Sequence, residues 1–357
     1  MGDLLSKKLW NRLLLLVAFG LGTMAFVSAP ALRTEEIAYQ EKIGGVNFVS
    51  PAKKVGADCF NSLNRISSQW VALNPFAFGR PKEPKLSWDL DWQWWGERSE
   101  GIKTMIKYAK AQNLKVMIKP HIWVRGEGWA GDFVCDTEED WATWETYYER
   151  YVMMYAQIAA DYKIEAFCLG TEVRKSVKDR PHFWEQLIDK IRAVYGGKLT
   201  YAANWDNYMN VRFWNKLDYI GVDNYYPVSD QILPEVDDMI AAWEPFFEEM
   251  KGFSKKVDRP VLFTEYGYRS IDQTAWKQWL LPEHWENAEG EVNLTAQVNA
   301  YSALYKTFWQ EDWVAGGFLW KWYARDNESG GKKDRDYTPQ HKPVEALIKA
   351  WYQGSKS

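Results

Sequence analysis

Two glutamates in this sequence are placed to do chemistry. Glu265 stands in LFTEYGY, one residue beyond the apolar run Pro260, Val261, Leu262 and Phe263, and Glu172 stands in FCLGTEV. An ionised carboxylate at the end of an apolar strand is costly unless paired or solvated, and a strand end facing a pocket is one place where that cost is tolerated. The two lie 93 residues apart, a spacing that fits three strand–helix units of about 31 residues and would bring both to one mouth. Two carboxyls across a cleft suit glycoside hydrolysis: one, protonated, donates to the leaving oxygen while the other, ionised, meets an oxocarbenium-like carbon. A gap of about 5–5.5 Å retains configuration, and one of about 6.5–9.5 Å inverts it. Either Glu alone could equally begin a solvated loop; the pair at matching strand ends favours function.

The other strand ends supply the lining. KPHIW offers His121 and Trp123, AANW offers Asn204 and Trp205, GVDNYYP offers Asp223, Tyr225 and Tyr226, and FLWKWY offers Trp320 and Trp322. The expected substrate contacts are His121, Asn204, Trp205, Asp223, Tyr225, Trp320 and Trp322. Each indole could instead pack against a helix or form a rim, and His121 could be a hydrogen-bonded wall residue. Carboxylate, amide, phenol and indole make up this inventory. It offers no Ser/His/Asp arrangement and no metal-ligand triad, so no metal or organic cofactor is implied.

The elements that would position these groups follow from alternation. Apolar runs at 45–49, 70–74, 115–119, 166–170, 199–203, 219–222, 261–264 and 317–320 read as strands. Amphipathic stretches at 99–112, 138–162, 181–195, 233–256 and 294–310 read as helices, the second capped by Thr137 before three acidic residues. Strict alternation predicts a parallel sheet, and eight repeats predict a closed (β/α)8 TIM barrel in a single domain over residues 40–353. No Gly-rich phosphate loop follows the first strand, so the dinucleotide-binding alternative loses its main support. The polar stretch 327–336, with ESGGKKDRD, reads as a solvated surface loop.

Composition narrows the partners. The 357 residues carry a formal net charge of -4 and no basic stripe, which excludes nucleic acid as a partner. Aromatics reach 16%, with 22 Trp, more than core filling needs and suited to the flat faces of sugars. Cys59, Cys135 and Cys168 cannot all pair within the chain. Lys7, Lys8 and Arg12 precede the uncharged run 13–32, which contains Ala29-Pro30-Ala31. Residues 1–31 therefore read as an export signal or as an N-terminal anchor, with 13–32 as the tether, and either reading places the remaining chain outside the cytoplasm.

LGTEV, DYIGVDNYYP, LFTEYGY and FLWKWY, in this order and spacing, resemble glycoside hydrolase family 113. The resemblance runs from about Gly45 to the final helix and implies a retaining (β/α)8 hydrolase acting on β-1,4-mannan or manno-oligosaccharides, with a β-glucanase of the same clan or a non-catalytic carbohydrate-binding barrel as alternatives. By position it makes Glu172 the general acid/base and Glu265 the nucleophile. It also makes Trp320 a platform beneath the sugar being cleaved and Tyr225 a donor that keeps Glu265 ionised. Most of that clan places Asn before the acid/base; Thr171 stands here instead. The substrate 2-hydroxyl is thereby left to Asn204 or His121, and mannose against glucose stays open.

Overall fold

The computed structural model describes residues 42–126, 129–279 and 291–354. Eleven strands are present among them: β1 Ile43–Phe48, β2 Trp70–Leu73, β3 Phe76–Arg80, β4 Glu83–Ser87, β5 Lys115–Ile118, β6 His121–Val124, β7 Ala166–Thr171, β8 Lys198–Asn204, β9 Ile220–Asn224, β10 Val261–Tyr266 and β11 Val314–Trp322. Eight of them close a parallel barrel in the order β1-β11-β10-β9-β8-β7-β5-β2. These eight are the apolar runs read as strands. Each is apolar on both faces because one face fills the barrel and the other packs on helices.

The α-helices are α1 Ser99–Ala111, α2 Glu138–Asp161, α3 Arg174–Asp179, α4 Pro181–Val194, α5 Val236–Val257, α6 Leu294–Phe308 and α7 Val344–Tyr352. Thr137 caps α2 as expected, its Oγ1 accepting from the Asp140 N–H at 3.1 Å. Strict alternation fails in two places. A 3₁₀ helix, Ala57–Ile66, follows β1, and only short 3₁₀ turns at Tyr208–Asn210 and Trp214–Lys216 follow β8. Strands β4, β3 and β6 form a separate small sheet beside the barrel mouth.

The core has two layers, as a filled barrel requires. Met117, Cys168, Ala202, Leu262 and Phe318 pack inside the barrel, whereas Val116, Leu169, Val222, Phe263 and Leu319 pack between barrel and helices. The stretch after β11 departs from a solvated loop at its end: Asp336 is buried and accepts from the Tyr323 hydroxyl at 2.6 Å, while Ser270 donates to the Asp334 carbonyl. All three cysteines are free and buried. No helix among the described residues is long and apolar enough to cross a membrane. The export or anchor reading of 1–31, tether 13–32 included, lies outside the described residues.

Candidate active site

Strict alternation along β10 would turn Glu265 away from the barrel interior, because Leu262 points in and Phe263 points out. A bulge reverses this. Phe263 pairs with Val222 but Glu265 pairs with Asp223, so Thr264 is an extra residue and Glu265 faces inward. Gly267 then lets the chain pass tightly, since a Cβ there would collide with the Trp320 carbonyl oxygen.

Inside the mouth, Glu265 is 7% exposed and held from two sides. The Tyr225 hydroxyl donates to Oε2 at 2.8 Å, and the Lys119 ammonium donates to Oε1. Lys119 has 0% exposure. It follows Met117 on the inward face of β5, so its side chain runs up the barrel axis. Burial opposes its charge, but Glu265 and Asp223 outweigh that and raise its pKa. His121 Nε2 lies 3.9 Å from Glu265 Oε1 and has no hydrogen-bond partner among the described residues. Burial and the nearby Lys119 charge push the His121 pKa well below its ordinary value, so the imidazole is neutral.

Glu172 lies beyond an irregularity in β7, where Cys168 pairs with Thr200 and Thr171 with Ala202. Its backbone is left-handed, with φ 53°, and its N–H donates to the Ala202 carbonyl at 2.8 Å. A non-glycine residue in that region costs about 1–3 kcal/mol and persists where the surroundings impose it. The carboxyl accepts from the Trp129 indole N–H at 2.6 Å. Burial, then the charge of Glu265, raise its pKa from 4.5 to about 7 against the opposing pull of Trp129 and Lys119. One carboxyl is thus paired with a cation while the other holds its proton to near neutrality. That is the division of labour between nucleophile and acid in glycoside cleavage.

The remaining expected contacts divide. Trp320 is partly exposed, with the Lys119 ammonium 5.6 Å from its ring centroid and the His121 ring at 6.3 Å. Asn204 is partly exposed at the end of β8, and its Oδ1 accepts from the Trp205 N–H at 2.9 Å. Trp205 packs on Tyr226 and on Trp279, which is 45% exposed. Thr171 donates to the Pro120 carbonyl at 3.1 Å, which occupies its hydroxyl proton.

Two expected contacts are not at the mouth. Asp223 is wholly buried, its Oδ1 accepting from Thr264 at 2.7 Å, and burial and Glu265 raise its pKa well above the carboxylate range. Trp322 is also wholly buried and lies in the outer layer, its indole N–H donating to Ser62 at 2.9 Å. The reason is a second bulge: Asn47 pairs with Trp320 and Phe48 with Trp322, so Lys321 is extra and the alternation inverts after Trp320.

Sequence reasoning missed Lys119 and Trp129. Lys119 carried a readable signal, a cation closing the apolar strand KVMI, the same anomaly that drew attention to Glu265. Trp129 sits in a loop between β6 and α2, where no periodicity marks it.

Comparison with solved structures finds proteins of similar fold. A complex structure described as GH113 beta-1,4-mannanase is 28% identical, with TM-score 0.72, covering 88% of this chain and 99% of that one. The GH113 beta-mannanase AaManA from Alicyclobacillus acidocaldarius, at 23% identity and TM-score 0.76, covers 88% of this chain and 98% of its own and shows the shared fold. So does a Ruminococcus gnavus beta-glucuronidase at 11% identity and TM-score 0.59, of which half the chain is covered. No curated protein sequence matches. Residues 51–342 match the profile of Glycoside Hydrolase Family 113, and that match takes in β2 to β11 together with Glu172 and Glu265; the chain belongs to this family.

Proposed function

We propose that the protein is a retaining hydrolase of β-1,4-mannosidic bonds in mannan or manno-oligosaccharides. The observation that carries the reading is the unequal treatment of two carboxyls at one mouth: Glu265 bonded to Lys119 and Tyr225, Glu172 protonated to about pH 7. The substrate class rests on the family and on the two solved structures described as beta-1,4-mannanases at 28% identity.

Glu265 attacks the anomeric carbon as the C1–O bond breaks, and Glu172 passes its proton to the leaving oxygen. An ester between Glu265 and C1 results. Its formation removes the charge of Glu265, and the pKa of Glu172, raised partly by that charge, falls so that the group can serve as a base. Glu172 then takes a proton from water as the water attacks C1 and frees Glu265. Trp320 serves as the platform for the sugar, and the 2-hydroxyl falls to Asn204 or His121, the Thr171 hydroxyl proton being committed to Pro120. The neutral His121 ring, with its unpartnered Nε2, suits a hydroxyl. The chain works outside the cytoplasm, released or tethered through residues 13–32.

Reducing-sugar release from mannan, glucomannan, cellulose and mixed-linkage glucan tests the substrate, and the anomer first formed, read by NMR, tests retention. Mannan cleavage with a β product is expected. An α product would overturn the double displacement, and cleavage of cellulose alone would move the protein to the glucanases. Glu265→Ala is expected to fold and to be inactive.

A further inference from the structure

Tyr225 holds its hydroxyl on Glu265, yet it lies one residue beyond β9, where no strand pairing fixes it. Misplacing a reacting group by about 1 Å can lower a rate about 10²-fold, so whatever orients this phenol bears on the reaction. Its neighbour Tyr226 turns the other way, onto Trp205, Trp243 and Phe246. Among the described residues one ring packs on Tyr225: that of Tyr337, edge-on, with centroids 6.3 Å apart.

Tyr337 directly follows the polar stretch after β11, and that stretch is tied down as a surface loop would not be. Lys342, whose side chain is wholly buried, donates to the Asp336 carbonyl at 2.7 Å and to the Ser270 hydroxyl at 2.9 Å, and pairs with Asp334 at 2.7 Å. A buried ammonium is unfavourable unless paired, and its partners here join the segment after β11 to the one after β10. Gln297, buried on α6, joins the same two segments by donating to the Tyr268 and Tyr337 carbonyls at 2.9 and 3.2 Å.

The path closes on Tyr225 itself. The Tyr337 hydroxyl donates to the Gln278 carbonyl, and the Gln278 side-chain amide donates to the Tyr226 carbonyl at 3.3 Å. Gln278 and Tyr337 are both buried, so water competes poorly for these bonds. Tyr337 is thus held by its backbone and by its hydroxyl, and its ring is left to pack on Tyr225. Because that hydroxyl is committed to Gln278, Tyr337 bears on Glu265 by way of Tyr225.

We propose that Tyr337 is a positioning residue for the cleavage, its ring confining Tyr225 to the orientation in which the phenol bonds Glu265. The proposal deepens the hydrolase reading and rests on it. Tyr337→Ala and Tyr337→Phe, each made in wild type and in Tyr225→Phe, test it by steady-state kinetics on the glycan that wild type cleaves best. In the wild-type background kcat is expected to fall about tenfold in Tyr337→Ala, as loss of an edge-on aromatic contact would give, with KM little changed. Tyr337→Phe keeps the ring and loses the bond to Gln278, and a fall of about threefold is expected. In Tyr225→Phe no hydroxyl remains to be positioned, so either substitution is expected to change kcat by less than about twofold. Losses that multiply in the double variants, or that fall on KM alone, overturn the role, since a general loosening of the fold would act in either background. If Tyr337→Ala does not fold, Tyr337→Phe decides by the same comparison. Crystal structures give a reading independent of activity: the bond from Tyr225 to Glu265, 2.8 Å here, is expected to lengthen or be lost in Tyr337→Ala, or in Tyr337→Phe where that alone folds. A bond kept at its length overturns the proposal. If wild type cleaves no glycan, the hydrolase reading alone fails and the crystal structures decide.

Discussion

Trp129→Phe isolates a single hydrogen bond in the proposed acid. The indole N–H donates to Glu172 Oε2 at 2.6 Å, and the Arg174 guanidinium lies 4.5 Å from the ring centroid. Phe keeps an aromatic face for that cation and removes only the donor. A hydrogen bond to an ionised group is worth about 1.5–3 kcal/mol and one between neutral groups about 0.5–1.5 kcal/mol. The indole therefore favours ionised over protonated Glu172 by about 1–1.5 kcal/mol. One pH unit corresponds to about 1.4 kcal/mol, so loss of the bond raises the Glu172 pKa by about one unit above its value of about 7. The assay is kcat/KM against pH on a substrate with a poor leaving group, for which the protonated acid is required. The alkaline limb is expected to move to higher pH in Trp129→Phe. It is expected to disappear, with most of the activity, in Glu172→Gln. An unmoved limb, or one displaced downward, would refute the assignment of Glu172 as the acid that Trp129 restrains.

Other variants separate roles within the same site. Tyr225→Phe removes the 2.8 Å donor to Glu265 and is expected to lower kcat by about 10²-fold with little change in KM, measured by steady-state kinetics on the same substrate. Glu172→Gln is expected to stabilise the fold at alkaline pH. Unfolded chains ionise this group near 4.5 whereas the folded protein holds the proton to about 7, so stability is lost as pH rises through that window and stays lost above it. Denaturant melts should show the variant ahead by up to about 3 kcal/mol at pH 8 and level with wild type at pH 4. Trp322→Ala is expected to cost about 3–5 kcal/mol of stability, seen in the same melts, with KM unchanged in the folded fraction at low temperature, because the indole fills the outer core.

Much of the architecture was legible in the sequence because each barrel strand is apolar on both faces and each long helix carries one apolar stripe. The small sheet was not legible: FAFGR and EPKLS are short and partly exposed, and FAFGR lies between EPKLS and β6, a strand far along the chain that its own pattern does not announce. The two glutamates stood out as charges at apolar strand ends. How they face the mouth did not, because the bulge at Thr264 and the irregularity between Cys168 and Thr171 disturb the alternation from which facing is inferred, as the bulge at Lys321 does in β11. The same inversion explains why Trp320 lies at the mouth and Trp322, two residues later, does not. Lys119 could have been found by the argument applied to Glu265. Trp129 could not, since its place depends on a loop path.

The roles proposed for the carboxyls follow from a shortage of positive charge. Glu172, Asp223 and Glu265 interact electrostatically with one another, and Lys119 is the buried cation that acts on all three. Ionising more than one of them would leave an uncompensated charge in a poorly solvated interior, at a cost of several kcal/mol. Lys119 and the Tyr225 hydroxyl both bond Glu265, so the single charge that the ammonium compensates resides there. Asp223, deeper and bonded to Thr264, is held protonated, and Glu172 is held protonated until about pH 7. An enzyme that needs one ionised and one protonated carboxyl can therefore set both with one lysine. Removal of that lysine would unsettle the proposed acid as well as the proposed nucleophile, although of the two carboxyls it bonds only Glu265.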